Sequence, residues 1–140
     1  LTYGLERLCL YLQGKDRIMD LTFNDAGATY SDVFLESERQ FSAFNFEVAD
    51  VDTLKRQFED MERQVTRILS MKGPQGQALV LPAYDHVLKA SHLFNLMDAR
   101  GAIAVAERQS YIGRIRDLCK ACALEWVRQQ GGNALAETEA

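Results

Sequence analysis

Leu54, Phe58, Met61, Val65 and Ile68 are separated by four, three, four and three residues, and no other feature constrains the fold as strongly. Those steps place all five side chains on one stripe of an α-helix and leave the charged residues on its other faces. Asp50 or Asp52 can cap the start of this helix, and Lys72, Gly73, Pro74 and Gly76 stop it near Met71. A helix with one apolar seam needs a surface to bury that seam against. A chain of 140 residues can supply it internally, since a domain of this size buries roughly two-thirds of its unfolded surface. An intramolecular core is therefore the expected occupant, with a partner helix as the alternative.

The same criteria predict four more helices. Leu5, Leu8, Cys9 and Leu12 follow a helical period between Gly4 and Gln13, with Leu10 and Tyr11 on a second side and Gly14 as a stop. Apolar residues on more than one side predict that this helix is largely buried. Residues 17–23 are mixed, a turn followed by a short extended piece, and Asn24–Asp25–Ala26–Gly27 is turn chemistry. Thr29 with Asp32 three residues later is a capping signal for a helix from about Ser31 to Phe44. Residues 73–81 form a linker, and Pro82 suits the first turn of the next helix. Tyr84, Val87, Leu88, Ser91, Phe94 and Met97 are its expected buried face, and Asp98 to Gly101 breaks the pattern. The last helix begins at Ile103 or Val105 and runs to Gln130, with Ile112, Ile115, Cys119, Cys122 and Trp126 as its seam and Gly131–Gly132 as its end. The acidic stretch 133–140 is expected to be disordered. The result is an all-α bundle of about five helices.

Composition narrows the function classes. The longest apolar runs fall far short of a membrane span, and no charged-then-apolar leader is visible. The net charge of −4 argues against a nucleic-acid coat, although a local basic face stays open. Residues 1–72 hold 9 basic and 13 acidic groups and residues 73–140 hold 7 of each, so the surplus of acid lies in the first half. Three cysteines without framework spacing suit a reducing cytoplasm better than a secreted scaffold. Leu1 stands in place of Met and opens mid-element, so a fragment of a longer chain is expected.

Few motifs carry chemistry. Cys119–Lys120–Ala121–Cys122 spells C-x-x-C, but both cysteines fall inside a long helix rather than at its N-terminus. No second pair completes a zinc site, so packing is the expected role. His86 and His92, six residues apart, do not share a helix face. Arg114, Arg116 and Lys120, with Arg108 and Arg128 nearby, could form an RNA track. Glu107, Asp117 and Glu125 offset them and favour a solvated face. Arg7 lies just inside the first helix, next to Glu6 and after Gly4. Glycine permits close backbone approach, and arginine has a fork suited to phosphate oxygens. This helix is expected to be buried, and a buried arginine without a partner is costly, so Arg7 must meet either a carboxylate or a bound anion.

The string Leu1–Thr2–Tyr3–Gly4–Leu5–Glu6–Arg7–Leu8 resembles motif 3 of the class II aminoacyl-tRNA synthetases. More closely, the chain resembles the α subunit of the bacterial heterotetrameric glycyl-tRNA synthetases. The likeness continues through Thr29–Tyr30–Ser31–Asp32–Val33–Phe34, Asn45–Phe46–Glu47 and Ala49–Asp50–Val51–Asp52. It returns at Leu81–Pro82–Ala83–Tyr84, Leu88–Lys89–Ala90–Ser91–His92, Asp98–Ala99–Arg100 and Glu107–Arg108–Gln109, and spans about residues 1–128.

The resemblance implies activation of glycine by ATP, with Mg2+, and transfer of glycine to its tRNA. No cofactor is implied as intrinsic to this chain. It implies a C-terminal part, beginning at motif 3, that lacks most of the class II antiparallel catalytic sheet. Residues 1–14 would then be the remnant of the catalytic core, 15–132 a helical domain and 133–140 a tail. With that sheet gone, apolar sides of the first helix would lie open. By position, Arg7 matches the motif 3 arginine that contacts ATP phosphate, and Glu6 would orient it or a nearby group. Gly4 would let the backbone approach the nucleotide, and Thr2 is a further candidate for the adenylate pocket. No metal ligand is assignable. The implied partners are a β subunit, a second α subunit, glycine tRNA, ATP and glycine, with no membrane, in the cytoplasm. Ala104 and Ala106 stand where the family commonly has hydroxyl residues, so the last helix loses a side-chain N-cap. The alternative is a non-catalytic helical protein-interaction module that binds through the 54–69 seam or the last helix.

Overall fold

The computed structural model describes residues 3–131, and the tail expected over 133–140 lies outside them. Five α-helices account for most of the described residues, and their only extended pairing is an isolated bridge between Thr22 and Thr29. The chain divides into two compact units, Leu1–Val48 and Ala49–Ala140.

In the first unit, α1 spans Leu5–Gln13 and ends where Gly14 takes a left-handed φ of 60°. There its N–H caps the helix on the Leu10 and Tyr11 carbonyls. The Gln13 side chain then fixes the following segment. It donates to the Thr22 carbonyl at 3.0 Å and accepts from the Thr22 N–H at 2.8 Å, as a neighbouring peptide would. A short 3-10 turn, Ile18–Asp20, precedes this contact. Phe23 N–H to Ala28 at 2.7 Å and Tyr30 N–H to Leu21 at 2.8 Å close a small loop. The Asn24 side-chain oxygen organises its tip by accepting from the Ala26 and Ala28 N–H groups.

Helix α2, Tyr30–Ala43, starts on the expected capping box: Asp32 N–H donates to Thr29 Oγ1 and Thr29 N–H to the Asp32 carboxylate. Those bonds, the backbone one first, hold the Asp32 carboxyl below the usual range. The helix does not stop short of Asn45, because a π-turn carries it over Phe44–Val48.

The second unit holds the core. α3 is Val51–Ser70, capped by Asp50 accepting from Thr53 N–H at 2.8 Å. α4 is Val80–Ala99, with Pro82 in its first turn, and α5 is Val105–Gln129. The seam on α3 is turned inward: Leu54, Phe58 and Val65 are buried, and Met61 and Ile68 half-buried against them. One cluster gathers Leu54 and Phe58 with Phe94 and Met97 of α4, and α5 closes it with Tyr111, Ile112 and Ile115. A second joins Val65, Val87 and Cys122. Two polar clasps tie loops to helices, Arg100 Nε to the Ala49 carbonyl at 3.1 Å and Gln129 Nε2 to the Ala78 carbonyl at 2.9 Å.

Three expectations need correction. The buried face of α4 runs Ala83, Val87, Ala90, Phe94, Met97, one register away from Tyr84, Leu88 and Ser91. Tyr84 and Leu88 are exposed, and Ser91 is only half-buried. The two alanines let α4 pack closely at their own positions, where larger side chains would hold it off. Trp126, placed on the α5 seam by its spacing, keeps 44% of its surface exposed. Helix α1 is not largely buried: Leu5, Leu8, Tyr11 and Leu12 are exposed. Its own unit offers it little beyond the 21–34 segment, whose single buried residue is Leu21.

At the start of α5 the Glu107 carboxylate accepts from Ala104 N–H at 3.2 Å, which is half a capping box. The hydroxyl half is missing, because Ala104 carries no donor or acceptor side chain. Ala104→Ser completes the box and is expected to stabilise the chain by about 1 kcal/mol in urea unfolding.

Candidate functional site

Gly4 stands just before α1 in an extended conformation, φ −80° and ψ 105°, with no side-chain cap on the helix start. Its carbonyl takes the first helical bond, from Leu8 N–H at 3.2 Å. Neither its φ nor its surroundings demand glycine. A Cβ there would meet the Arg7 stem at 3.7 Å, an ordinary contact. What glycine adds is an open face at the first turn, where unsatisfied N–H groups and the helix dipole favour an anion.

Arg7 is exposed, so the premise that it is buried is corrected. Among the described residues it makes no ion pair and no hydrogen bond. Of the two partners left open for Arg7, a carboxylate of the described residues is therefore not the one seen. Glu6 does not serve it either. Adjacent residues on a helix project about 100° apart, and Glu6 accepts instead from the Tyr30 hydroxyl at 3.5 Å. Thr2 lies outside the described residues.

Tyr30 carries no functional expectation from the sequence beyond its place in the Thr29–Phe34 string. It joins Phe23 and Phe34 in an aromatic trio, with ring centroids 4.5 Å from Phe34 and 6.4 Å from Phe23. Leu5, Glu6, Cys9, Leu21, Phe23 and Tyr30 line an open cleft of about 330 Å³. Desolvation, then the facing Glu6 carboxylate, pushes the Tyr30 phenol above its ordinary range. No sequence signal pairs residues 24 apart, so only the fold reveals this contact.

The other motifs resolve into packing. Cys122 is buried and Cys119 half-buried within the second core cluster. Burial, then the neighbouring Cys119, pushes the Cys122 thiol up, which is opposite to an activated thiolate. No group of three metal-ligating side chains occurs among the described residues. The His86 ring sits 2.8 Å from the Pro82 carbonyl, within its own helix.

Along α5 the basic residues are largely engaged. Arg114 forks onto the Glu62 carboxylate, Arg108 pairs with Asp98 at 3.0 Å, and Arg128 pairs with Glu125. Arg128, then Gln129, holds the Glu125 carboxyl down to about 2. No helix of the described residues is long and apolar enough to cross a membrane.

Glu6→Gln removes the negative charge facing Tyr30 and a bond to its neutral form. A spectrophotometric pH titration should then show the Tyr30 phenol ionising at lower pH than in the unsubstituted chain.

Compared with known families, residues 1–131 match the one described as glycyl-tRNA synthetase alpha subunit, a span that includes α1 and runs through α5.

Proposed function

The chain belongs to the glycyl-tRNA synthetase alpha subunit family, and from that premise we propose that α1 supplies the ATP-contact arginine of a glycine–tRNA ligase. The observation that carries this reading is Arg7 itself, exposed on the first turn of α1 with no acid partner among the described residues. An arginine neutralised within its own chain has little charge left for a ligand. Arg7 keeps its charge and its planar fork, which match phosphate oxygens.

In the reaction, the glycine carboxylate attacks the α-phosphate of ATP and pyrophosphate leaves. Negative charge shifts onto the departing phosphates, and a guanidinium beside them stabilises that change. The first-turn N–H groups beside Gly4 add a partial positive charge on the same side. Glu6 takes a positioning role through Tyr30, which ties the first turn of α1 to the start of α2. Mg2+ would accompany ATP, and this chain's described residues offer no cluster to hold it. Thr2 remains a candidate for lining the adenylate pocket.

The chain alone is proposed to be inactive, because no strand of a catalytic sheet occurs among its described residues. Its helices from α3 to α5 then serve as a framework beside the catalytic core. The partners in this reading are glycine, ATP, glycine tRNA, a second alpha subunit and a beta subunit, in the cytoplasm. The alternative of a non-catalytic interaction module loses one of its two surfaces, since Leu54, Phe58 and Val65 of the α3 seam are buried in the core, and keeps only the last helix.

In the complete alpha–beta enzyme, Arg7→Ala should lower glycine-dependent ATP–pyrophosphate exchange by roughly 10²–10³-fold, with partial recovery in Arg7→Lys. Full exchange activity in Arg7→Ala would remove the assignment.

A further inference from the structure

Cys119 and Cys122 both line one open groove of about 420 Å³ between α4 and α5, walled by Leu81, Tyr84 and Trp126. Cys119 is half-buried, while Cys122 is 2% exposed at the base. The groove is thus apolar, aromatic on one side and floored by two thiols.

The spacing decides what two such thiols can hold. Side chains three residues apart on a helix have Cβ atoms about 5–6 Å apart. A disulfide needs about 3.5–4.5 Å, so a direct sulfur–sulfur bond would distort α5. A single soft atom that accepts both sulfurs spans the gap instead. Zinc is a poor fit, because it takes four ligands and the described residues offer no third or fourth here. The fit is to a soft, low-coordinate centre whose remaining substituent is apolar.

We propose that the Cys119–Cys122 pair is a chelating site for trivalent organoarsenicals, with the organic group seated against Tyr84 and Trp126. An arsenoxide R–As=O condenses with the two thiols to give R–As(S-Cys)2 and one water. Two As–S bonds form, the As=O bond and both S–H bonds break, and both protons leave on the oxygen. Arsenic stays trivalent, so no oxidant or reductant takes part. Cys119, the more accessible thiol, reacts first, and Cys122 closes the chelate from within the groove. Cys9 is the single cysteine of residues 1–48, so its own unit offers it no second thiol for a chelate.

Trp126 is the single tryptophan of the chain, so its fluorescence reports on the groove alone. Titration of the whole chain with phenylarsine oxide should quench Trp126 with an end point of one equivalent. An excess of a small dithiol should reverse the quench, and the same excess of a monothiol should not. Cys119→Ser and Cys122→Ala should each weaken binding by roughly 10²-fold or more, since the second bond is intramolecular. Cys9→Ser should leave binding unchanged. Cys119 is only half-buried, so its serine variant keeps the helix content measured by circular dichroism and stands as the decisive one if Cys122→Ala unfolds. Unquenched Trp126 in the unsubstituted chain, or equally tight binding in folded Cys119→Ser, would overturn the site.

Discussion

The Phe58 ring has no exposed surface, and its surroundings come from all three helices of the second unit. Phe94 and Met97 of α4 pack in the same cluster, and Tyr111 of α5 meets the ring edge-on at 5.0 Å. Arg114 then covers it, its guanidinium 4.7 Å from the Phe58 centroid and 4.9 Å from that of Tyr111. Glu62, one turn beyond Phe58 on α3, grips that guanidinium with both carboxylate oxygens. Burying a phenylalanine contributes about 1.5–3 kcal/mol, and a cation over its face adds about 0.5–2 kcal/mol. The ion pair is partly solvated, at 37% and 21% side-chain exposure, so its larger effect is on register. Glu62, chiefly through its hydrogen bonds, raises the Arg114 pKa further, and the cation over Phe58 is permanent. Together these contacts fix α5 against α3 at one position along its length.

This arrangement separates two kinds of surface. From Ala49 onward, two apolar clusters are buried within the chain, although Leu81, Tyr84, Leu88, Val105 and Trp126 stay exposed. Before Ala49, Leu21 is the single buried residue among those described, and α1 exposes Leu5, Leu8, Tyr11 and Leu12. Arg7, the proposed phosphate contact, sits on the helix with the weakest internal support. That placement is physically reasonable for a ligand-facing element, because a residue buried in its own core has no open side for a nucleotide. The family match over residues 1–131 takes in both kinds of surface.

Much of the framework was legible in the sequence, because α3 states its case three ways. The Leu54-to-Ile68 steps set its face, Asp50 caps it, and Gly73–Pro74 end it. The Thr29–Asp32 box and the Asn24 turn are equally local, and both formed as expected. Misreadings came where the deciding partner is distant in sequence. Tyr84 and Leu88 outweigh Ala83 and Ala90 on any scale of apolarity, yet closeness to α3 selects the alanines. In α1 the periodicity is real, but period alone does not supply a covering surface. At the candidate site, Gly4 and Arg7 were visible by position within a motif. The absence of an ion pair at Arg7 among the described residues and the bond between Glu6 and Tyr30 are tertiary facts. No residue spacing encodes them.

Native-state amide hydrogen exchange resolved by residue tests this division most directly, because it reads the stability of each helix separately. Amides around Phe58, Val65, Val87 and Cys122 should exchange only through global unfolding. Those of α1 from Cys9 to Gln13 should exchange orders of magnitude faster. Equal protection across α1 and α3 would contradict the account, since α1 would then have a core of its own.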